Sequence, residues 1–158
     1  MSGRPRLTLS VQFAVPATGL PARSTLRRWT SAALERDVRV TLRFVGEREG
    51  RRLNQRFRGK ERATNVLTFV YDASVHEAPR DAPRVGPLTG DIVICIPVVR
   101  REAKAAGRSL RAHCAHLVVH GMLHLQGHDH QHDESAATME RRETLLLRRF
   151  RYRDPYGA

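Results

Sequence analysis

Four segments of the chain show the apolar patterning of β-strands. Apolar and polar residues alternate in Leu7–Phe13 and in Val38–Val45, as they do in strands with one buried face. Residues 66–71 are rich in β-forming side chains. Residues 91–96 are almost continuously apolar, which indicates a central strand that is buried on both faces.

Five further segments are predicted to be helical: residues 24–35, 47–57, 97–106, 110–125 and 134–150. Ser24 and Ser109 are candidate N-caps, and the helix after Ser109 is apolar enough to be the buried spine of the molecule. Helices and strands do not alternate one for one. We therefore predict an α+β fold, a single mixed sheet of about four strands covered by helices, in one domain spanning residues 1–158. The arginine-rich tail is expected to be frayed.

A stretch that contains seven of the eight histidines indicates a metal site. In HGMLHLQGHDH, His120 and His124 are four residues apart, so a helix places them on one face, where both can bind one zinc ion. Gly127 can adopt the positive φ that ends a helix and lets the chain turn back towards the metal. We predict His130 as the third ligand, with His128 as its competitor.

Three protein ligands with an open fourth position are typical of catalytic zinc, so the predicted cofactor is one Zn²⁺ per chain, on a helix like that of zinc hydrolases. His116 is interpreted as a neighbour of the ligands and His113 as structural. The spacing is that of the metzincin proteases, H-E-x-x-H-x-x-G-x-x-H, except that Gly121 replaces the glutamate that serves as general base. This difference indicates a substrate other than a peptide.

The net charge of the chain indicates which class of partner it binds. The sequence has 28 Lys and Arg against 16 Asp and Glu, a net charge of +12, which favours a polyanion, nucleic acid before membrane. Codon bias could explain why 26 of the basic residues are arginines, but not the excess of basic over acidic residues. No apolar run approaches the roughly 18 residues that span a bilayer, and the N-terminus lacks the apolar core of a signal peptide. We expect a cytoplasmic protein with no membrane partner.

Three motifs resemble those of the YbeY endoribonuclease family, the bacterial rRNA maturation factors. Residues 120–130 are similar to the family pattern H-G-x-L-H-L-x-G-x-D-H. Residues 58–69, RGKERATNVLTF, are similar to R-G-K-D-x-P-T-N-V-L-S-F, and residues 90–92 supply a third block, GDI. The departures from these patterns are mild: Glu61, Ala63, Thr68, Val70 and His128.

The resemblance implies zinc ligands at His120, His124 and His130 and a functionally important arginine at Arg58, which suits contact with a phosphate. It also implies a zinc-dependent, single-strand-specific endoribonuclease that acts in rRNA maturation (16S rRNA 3′-end processing) and in ribosome biogenesis and quality control. The implied partners are precursor ribosomal RNA in the small subunit, with ribosomal proteins or GTPase assembly factors as further candidates.

Two alternatives remain open at this point. One is a zinc hydrolase of another substrate, such as a peptidase whose general base comes from Glu134 or Glu140. The other is a non-catalytic ribosome-assembly factor with a structural zinc, against which the open coordination position counts.

Overall fold

A computed structural model describes residues 3–60, 62–71, 86–128 and 133–156. Within these ranges the chain forms four strands and five helices. In chain order they are β1 Leu7–Phe13, α1 Arg23–Ala32, β2 Val38–Val45, α2 Glu47–Arg58, β3 Val66–Val70, β4 Leu88–Cys95, α3 Ile96–Ala105, α4 Leu110–Leu125 and α5 Asp133–Arg149. None of these helices is both long and apolar enough to cross a membrane.

The strands form one mixed sheet in the order β1-β2-β4-β3. The β1–β2 and β2–β4 pairs are parallel, whereas β3 runs antiparallel to β4, with Val66 opposite Ile94 and Val70 opposite Gly90. The predicted α+β fold with a single mixed sheet covered by helices is confirmed.

Strand β4 separates two apolar clusters. Ile92 and Ile94 belong to the larger cluster, which includes side chains of α1, α4 and α5. Val93 and Cys95 point to the other face, where a smaller cluster includes Leu53 of α2. This arrangement confirms that β4 is buried on both faces, and it places α2 on the opposite side of the sheet from α4.

Helix α4 is the buried spine that its composition predicts, with nine of its residues buried. Its N-terminus is capped as expected, because Ser109 Oγ accepts a hydrogen bond from the Ala112 amide at 3.0 Å. Its C-terminus is followed by Gly127 at φ 108°, in the positive-φ region that glycine favours. Helix α4 therefore ends where the ligand hypothesis requires the chain to turn.

Two local expectations are wrong. Helix α1 begins at Arg23 after an extended Ala22, with no side-chain cap, so Ser24 does not cap it. Burial of the α1 side chains, including a fully buried Trp29, sets the position of the helix instead. The tail after α5 is not wholly frayed, because the ring of Tyr152 packs edge-on against Trp29 with centroids 6.3 Å apart.

Gln126 links the end of α4 to the segment after α1. Its side chain is 4% exposed, accepts a hydrogen bond from the Glu35 amide at 2.7 Å, and donates to the carbonyls of Ala33 and Met122 at 2.8 and 2.9 Å. We expect Gln126→Leu to lower the free energy of unfolding by about 1–3 kcal/mol, because it leaves buried backbone groups unpaired. Urea denaturation measures the loss.

The matched control is Gln55→Leu, the same substitution at an exposed position of α2. It is expected to change stability by less than about 0.5 kcal/mol. Equal urea midpoints for the two variants would contradict the role assigned to Gln126.

Candidate active site

A cavity of about 460 Å³ lies between the end of α2, strand β3 and helix α4. Its lining consists of Phe57, Arg58, Val66, Leu67, Thr68, Phe69, His120 and His124. The structure thus brings Arg58, from one sequence motif, to the same cavity as two histidines of another motif, more than sixty positions away in the chain.

Two histidines reach this cavity from successive turns of α4. His120 and His124 are both partly exposed, whereas the residues around them on the helix are largely buried. The i, i+4 spacing therefore places both rings on the side of α4 that faces the cavity, as predicted.

Gly121 explains how α4 approaches the sheet so closely. A Cβ atom at this position would lie 3.0 Å from both Cδ1 and Cγ2 of Ile92 on β4. Any side chain at position 121 would thus point into the core against β4. The glutamate of the metzincin pattern would press on Ile92 and direct its carboxylate towards the apolar core, which gives a physical reason for its absence.

The two candidates for the third ligand are placed differently. His130 lies outside the described residues, which stop at 128 and resume at 133. His128 is buried, and its Nε2 donates to Glu35 at 3.0 Å from Oε1. One nitrogen of His128 is therefore engaged with a carboxylate, and that carboxylate also forms an ion pair with Arg142 at 3.5 Å.

Arg58 is the last residue of α2 and is exposed at the wall of the cavity. Gly59 follows it at φ 70°, a left-handed C-cap that ends the helix. Asn54, buried on the same helix, donates to the carbonyl of Arg62 at 2.5 Å and so ties the following loop back to α2. These contacts hold the backbone of Arg58 in a defined position at the wall of the cavity.

Asn65 shapes the entry to β3. Its Nδ2 donates to Glu102 at 2.9 Å, and its carbonyl accepts from the Cys95 amide at 2.9 Å. Glu102 also accepts from His113 Nε2 at 2.9 Å. His113 is therefore part of a structural network between α3, α4 and β3, in agreement with its predicted role.

Behind the cavity, a second group of polar side chains surrounds Glu143 of α5. His120 Nδ1 donates to Glu143 Oε1 at 2.5 Å, and the Tyr156 hydroxyl donates to Oε2 at 2.5 Å. His116 Nε2 lies 3.2 Å from the Tyr156 oxygen. His116, His120 and Glu143 offer ligand atoms within 4.8 Å of one another, so within the described ranges this group could hold a metal ion.

Burial controls the protonation of this group. It lowers the pKa of His116 to about 4, and the neighbouring His120 acts in the same direction, although Glu143 opposes the shift. Burial also raises the pKa of Tyr156, with a further contribution from its hydrogen bond to Glu143. At neutral pH, His116 is a neutral imidazole and Tyr156 a neutral hydroxyl donor.

The sequence reasoning missed Glu143 and Tyr156. A usable signal existed for the glutamate, because it stands on the apolar side of α5 between the buried Met139 and Leu146, at i, i+4 and i+7. A fully buried carboxylate in such a stripe needs a partner. No local pattern indicates that Tyr156 folds back onto His116, with ring centroids 5.4 Å apart.

Comparison with known proteins identifies the family. A family model described as endoribonuclease YbeY matches residues 21–151. The chain belongs to the YbeY endoribonuclease family. This membership confirms the resemblance found in the motifs, and Arg58, His120, His124 and His130 all lie within the matched region.

Several YbeY relatives are similar over nearly the whole chain. The protein named Endoribonuclease YbeY from Nitrosospira multiformis is 52% identical over 157 residues, which cover 97% of this chain and 83% of the relative. The protein of the same name from Nitrosomonas eutropha is 49% identical over 148 residues, or 94% of this chain and 97% of the relative. The solution structure of TM1509 from Thermotoga maritima shares the fold, with a TM-score of 0.53 at 23% identity over 96% of this chain and 100% of that one.

Introducing the glutamate of the metzincin pattern at position 121 tests the packing of α4 against β4. We expect Gly121→Glu to lower the free energy of unfolding by at least about 3 kcal/mol, because it overpacks Ile92 and buries an unpaired carboxylate. Urea denaturation, or loss of soluble protein, reports the effect. Ala105→Glu, at an exposed position of α3, is the control and is expected to keep near-wild-type stability. A Gly121→Glu variant as stable as this control would contradict the packing argument.

Proposed function

We propose that this chain is a zinc-dependent endoribonuclease that cuts single-stranded RNA, with its active site in the cavity between α2, β3 and α4. The observation that carries the proposal is that Arg58 lines the same cavity as His120 and His124. Membership of the YbeY endoribonuclease family supports RNA as the substrate. The net charge of +12 suits a polyanionic ligand.

The proposed ligands of one Zn²⁺ per chain are His120, His124 and His130. Their chemistry fits, since neutral imidazoles are common zinc ligands and two of them share one face of α4. The positive φ of Gly127 supports a return of the chain towards that face. His128 is less suited, because it is only 6% exposed and is not among the residues that line the cavity with His120 and His124. When bound, the ion supplies Lewis-acid stabilisation of the charge that develops on the scissile phosphate.

Arg58 is proposed to be the catalytic residue that contacts the scissile phosphate. Its guanidinium is planar and permanently charged, so it can donate two parallel hydrogen bonds to phosphate oxygens. Arg58 lies in the last turn of α2, where the negative end of the helix dipole stabilises a positive charge. This attraction helps to hold its side chain at the cavity wall. Arg58 thus orients the phosphate and stabilises its charge in the transition state.

The peptidase alternative receives no support from the described residues. Glu134 and Glu140 are both exposed, and Glu140 lines a different cavity, together with Arg141 and Arg148. Neither carboxylate lines the cavity that holds His120. A general base for peptide hydrolysis would have to reach a water held at the metal, and neither glutamate is among the residues that line this cavity.

We further propose that the biological substrate is precursor ribosomal RNA of the small subunit, cut in maturation of its 3′ end. Residues 1–158 are proposed to act as one cytoplasmic domain, with ribosomal proteins or GTPase assembly factors as partners. The resemblance of the motifs to those of rRNA maturation factors supports this assignment. Purified precursor particles with a 3′-extended small-subunit RNA are the substrate on which it can be tested, and failure to shorten that RNA would reject it.

Cleavage assays on variants of the cavity test the proposed active site. We expect His124→Ala to lose zinc and RNA cleavage together. We expect Arg58→Ala to keep zinc but to cleave about 10- to 100-fold more slowly, because one charge-assisted contact to phosphate is lost. Metal content is measured by elemental analysis, and cleavage on a labelled single strand and on the same strand in a duplex, with and without chelator.

Arg52→Ala is the matched control, since Arg52 is an exposed arginine of the same helix that lines another cavity. It is expected to cleave like the wild type. Undiminished cleavage after metal removal would overturn the zinc-dependent mechanism. Loss of fold on chelation, with no cleavage of RNA by the zinc-loaded protein, would favour the assembly factor with structural zinc.

A further inference from the structure

Glu143 is a fully buried carboxylate on an otherwise apolar face of α5. A carboxylate without water is costly unless hydrogen bonds and charges compensate it. Both of its oxygens are used: Oε1 accepts from His120 Nδ1, and Oε2 accepts from the Tyr156 hydroxyl, each at 2.5 Å. The fold therefore places a charge in its interior and directs it at one of the proposed zinc ligands.

The direction of this hydrogen bond determines which nitrogen of His120 carries a proton. A carboxylate can only accept, so Nδ1 must be the protonated nitrogen of a neutral His120 ring. In that tautomer the lone pair is on Nε2, at the opposite edge of the imidazole. Because Glu143 holds the Nδ1 edge, the Nε2 edge is turned to the other side, where the ring lines the cavity with His124.

Tyr156 completes the arrangement from the segment that follows α5. Its hydroxyl proton is given to Glu143, so the hydroxyl oxygen accepts from His116 Nε2 at 3.2 Å. Asp154 supports the turn by accepting from the Tyr156 amide at 2.8 Å and from Thr144 Oγ1 at 3.2 Å. His116, Tyr156 and Glu143 thus form a chain of hydrogen bonds that ends on the proposed ligand His120.

The same atoms could instead be ligands of a metal, but the distance argues against this. Two ligand atoms on one tetrahedral zinc, at bond lengths of about 2.0–2.2 Å, are separated by about 3.3–3.6 Å. His120 Nδ1 and Glu143 Oε1 are only 2.5 Å apart, the distance of a direct hydrogen bond. The group behind the cavity is built as a hydrogen-bond network.

We propose that Glu143 is a positioning residue: it orients His120 through Nδ1 so that Nε2 faces the cavity to bind the metal, and Tyr156 holds Glu143 in place. This inference rests on the proposed function, because it takes His120 to be a metal ligand. A carboxylate on the far nitrogen of a ligating imidazole fixes the ring and increases its basicity, and its loss commonly weakens metal binding 10- to 100-fold.

The test compares zinc affinities by competition with a chromophoric chelator. We expect Glu143→Gln to bind zinc about 10- to 100-fold more weakly than the wild type, at an unchanged stoichiometry of one ion per chain. Tyr156→Phe, which keeps the ring but removes the hydroxyl, is expected to weaken binding by less than Glu143→Gln does. Circular dichroism and urea unfolding confirm that each variant is folded.

Glu102→Gln is the matched control, because Glu102 also accepts a hydrogen bond from a histidine of α4, but from His113. This variant is expected to bind zinc as the wild type does. Nitrogen-15 NMR of the zinc-free wild type gives a second readout, in which His120 is expected to be protonated at Nδ1. Protonation at Nε2 instead, or an unchanged zinc affinity in Glu143→Gln, would overturn the inference.

Further variants separate this inference from the proposed function. If zinc binds the wild type but is retained by His124→Ala and lost in both His116→Gln and Glu143→Gln, the ion lies behind the cavity and both proposals fail. If His124→Ala loses zinc while Glu143→Gln binds it with wild-type affinity, the proposed site stands and only the positioning role fails.

Discussion

The close contact between α4 and β4 is the constraint on which the rest of the structure depends. Without a side chain at Gly121, the helix lies directly on Ile92, and this contact fixes how α4 is rotated about its axis. His120 and His124 then face the cavity at the edge of the sheet, on the side where β3 and the end of α2 form the opposite wall. The glycine that distinguishes this histidine pattern from that of the metzincins is thus also what positions the histidines.

Much of this arrangement was predictable because its causes are local. Alternation of apolar residues gives β1 and β2 with their observed bounds, and Ser109 and Gly127 mark the two ends of the histidine helix. The motif that begins at Arg58 reaches the same cavity as two histidines of the other motif. In each case the signal is a short pattern whose physical meaning does not depend on distant parts of the chain.

The parts that escaped prediction depend on tertiary contacts. Ser24 has the chemistry of an N-cap, yet burial of the α1 side chains overrides that preference. The position of Glu143 in the apolar stripe of α5 indicates burial, but its partners are determined only when α5 packs against α4. Tyr156 lies forty positions from the histidine that it contacts. Sequence periodicity can indicate that such a side chain is buried, but it does not identify the residues from distant segments that the side chain contacts.

The order of the site's parts along the chain has a consequence for its assembly. The histidine helix precedes both α5 and the segment that carries Tyr156, so a growing polypeptide presents His120 before the carboxylate that accepts its Nδ1 proton and the hydroxyl that holds that carboxylate. An incomplete chain lacks the buried carboxylate that selects the tautomer of His120. The orientation of that imidazole is therefore fixed only when α5 has docked on α4, so the last helix of the chain completes a feature that the preceding helix begins.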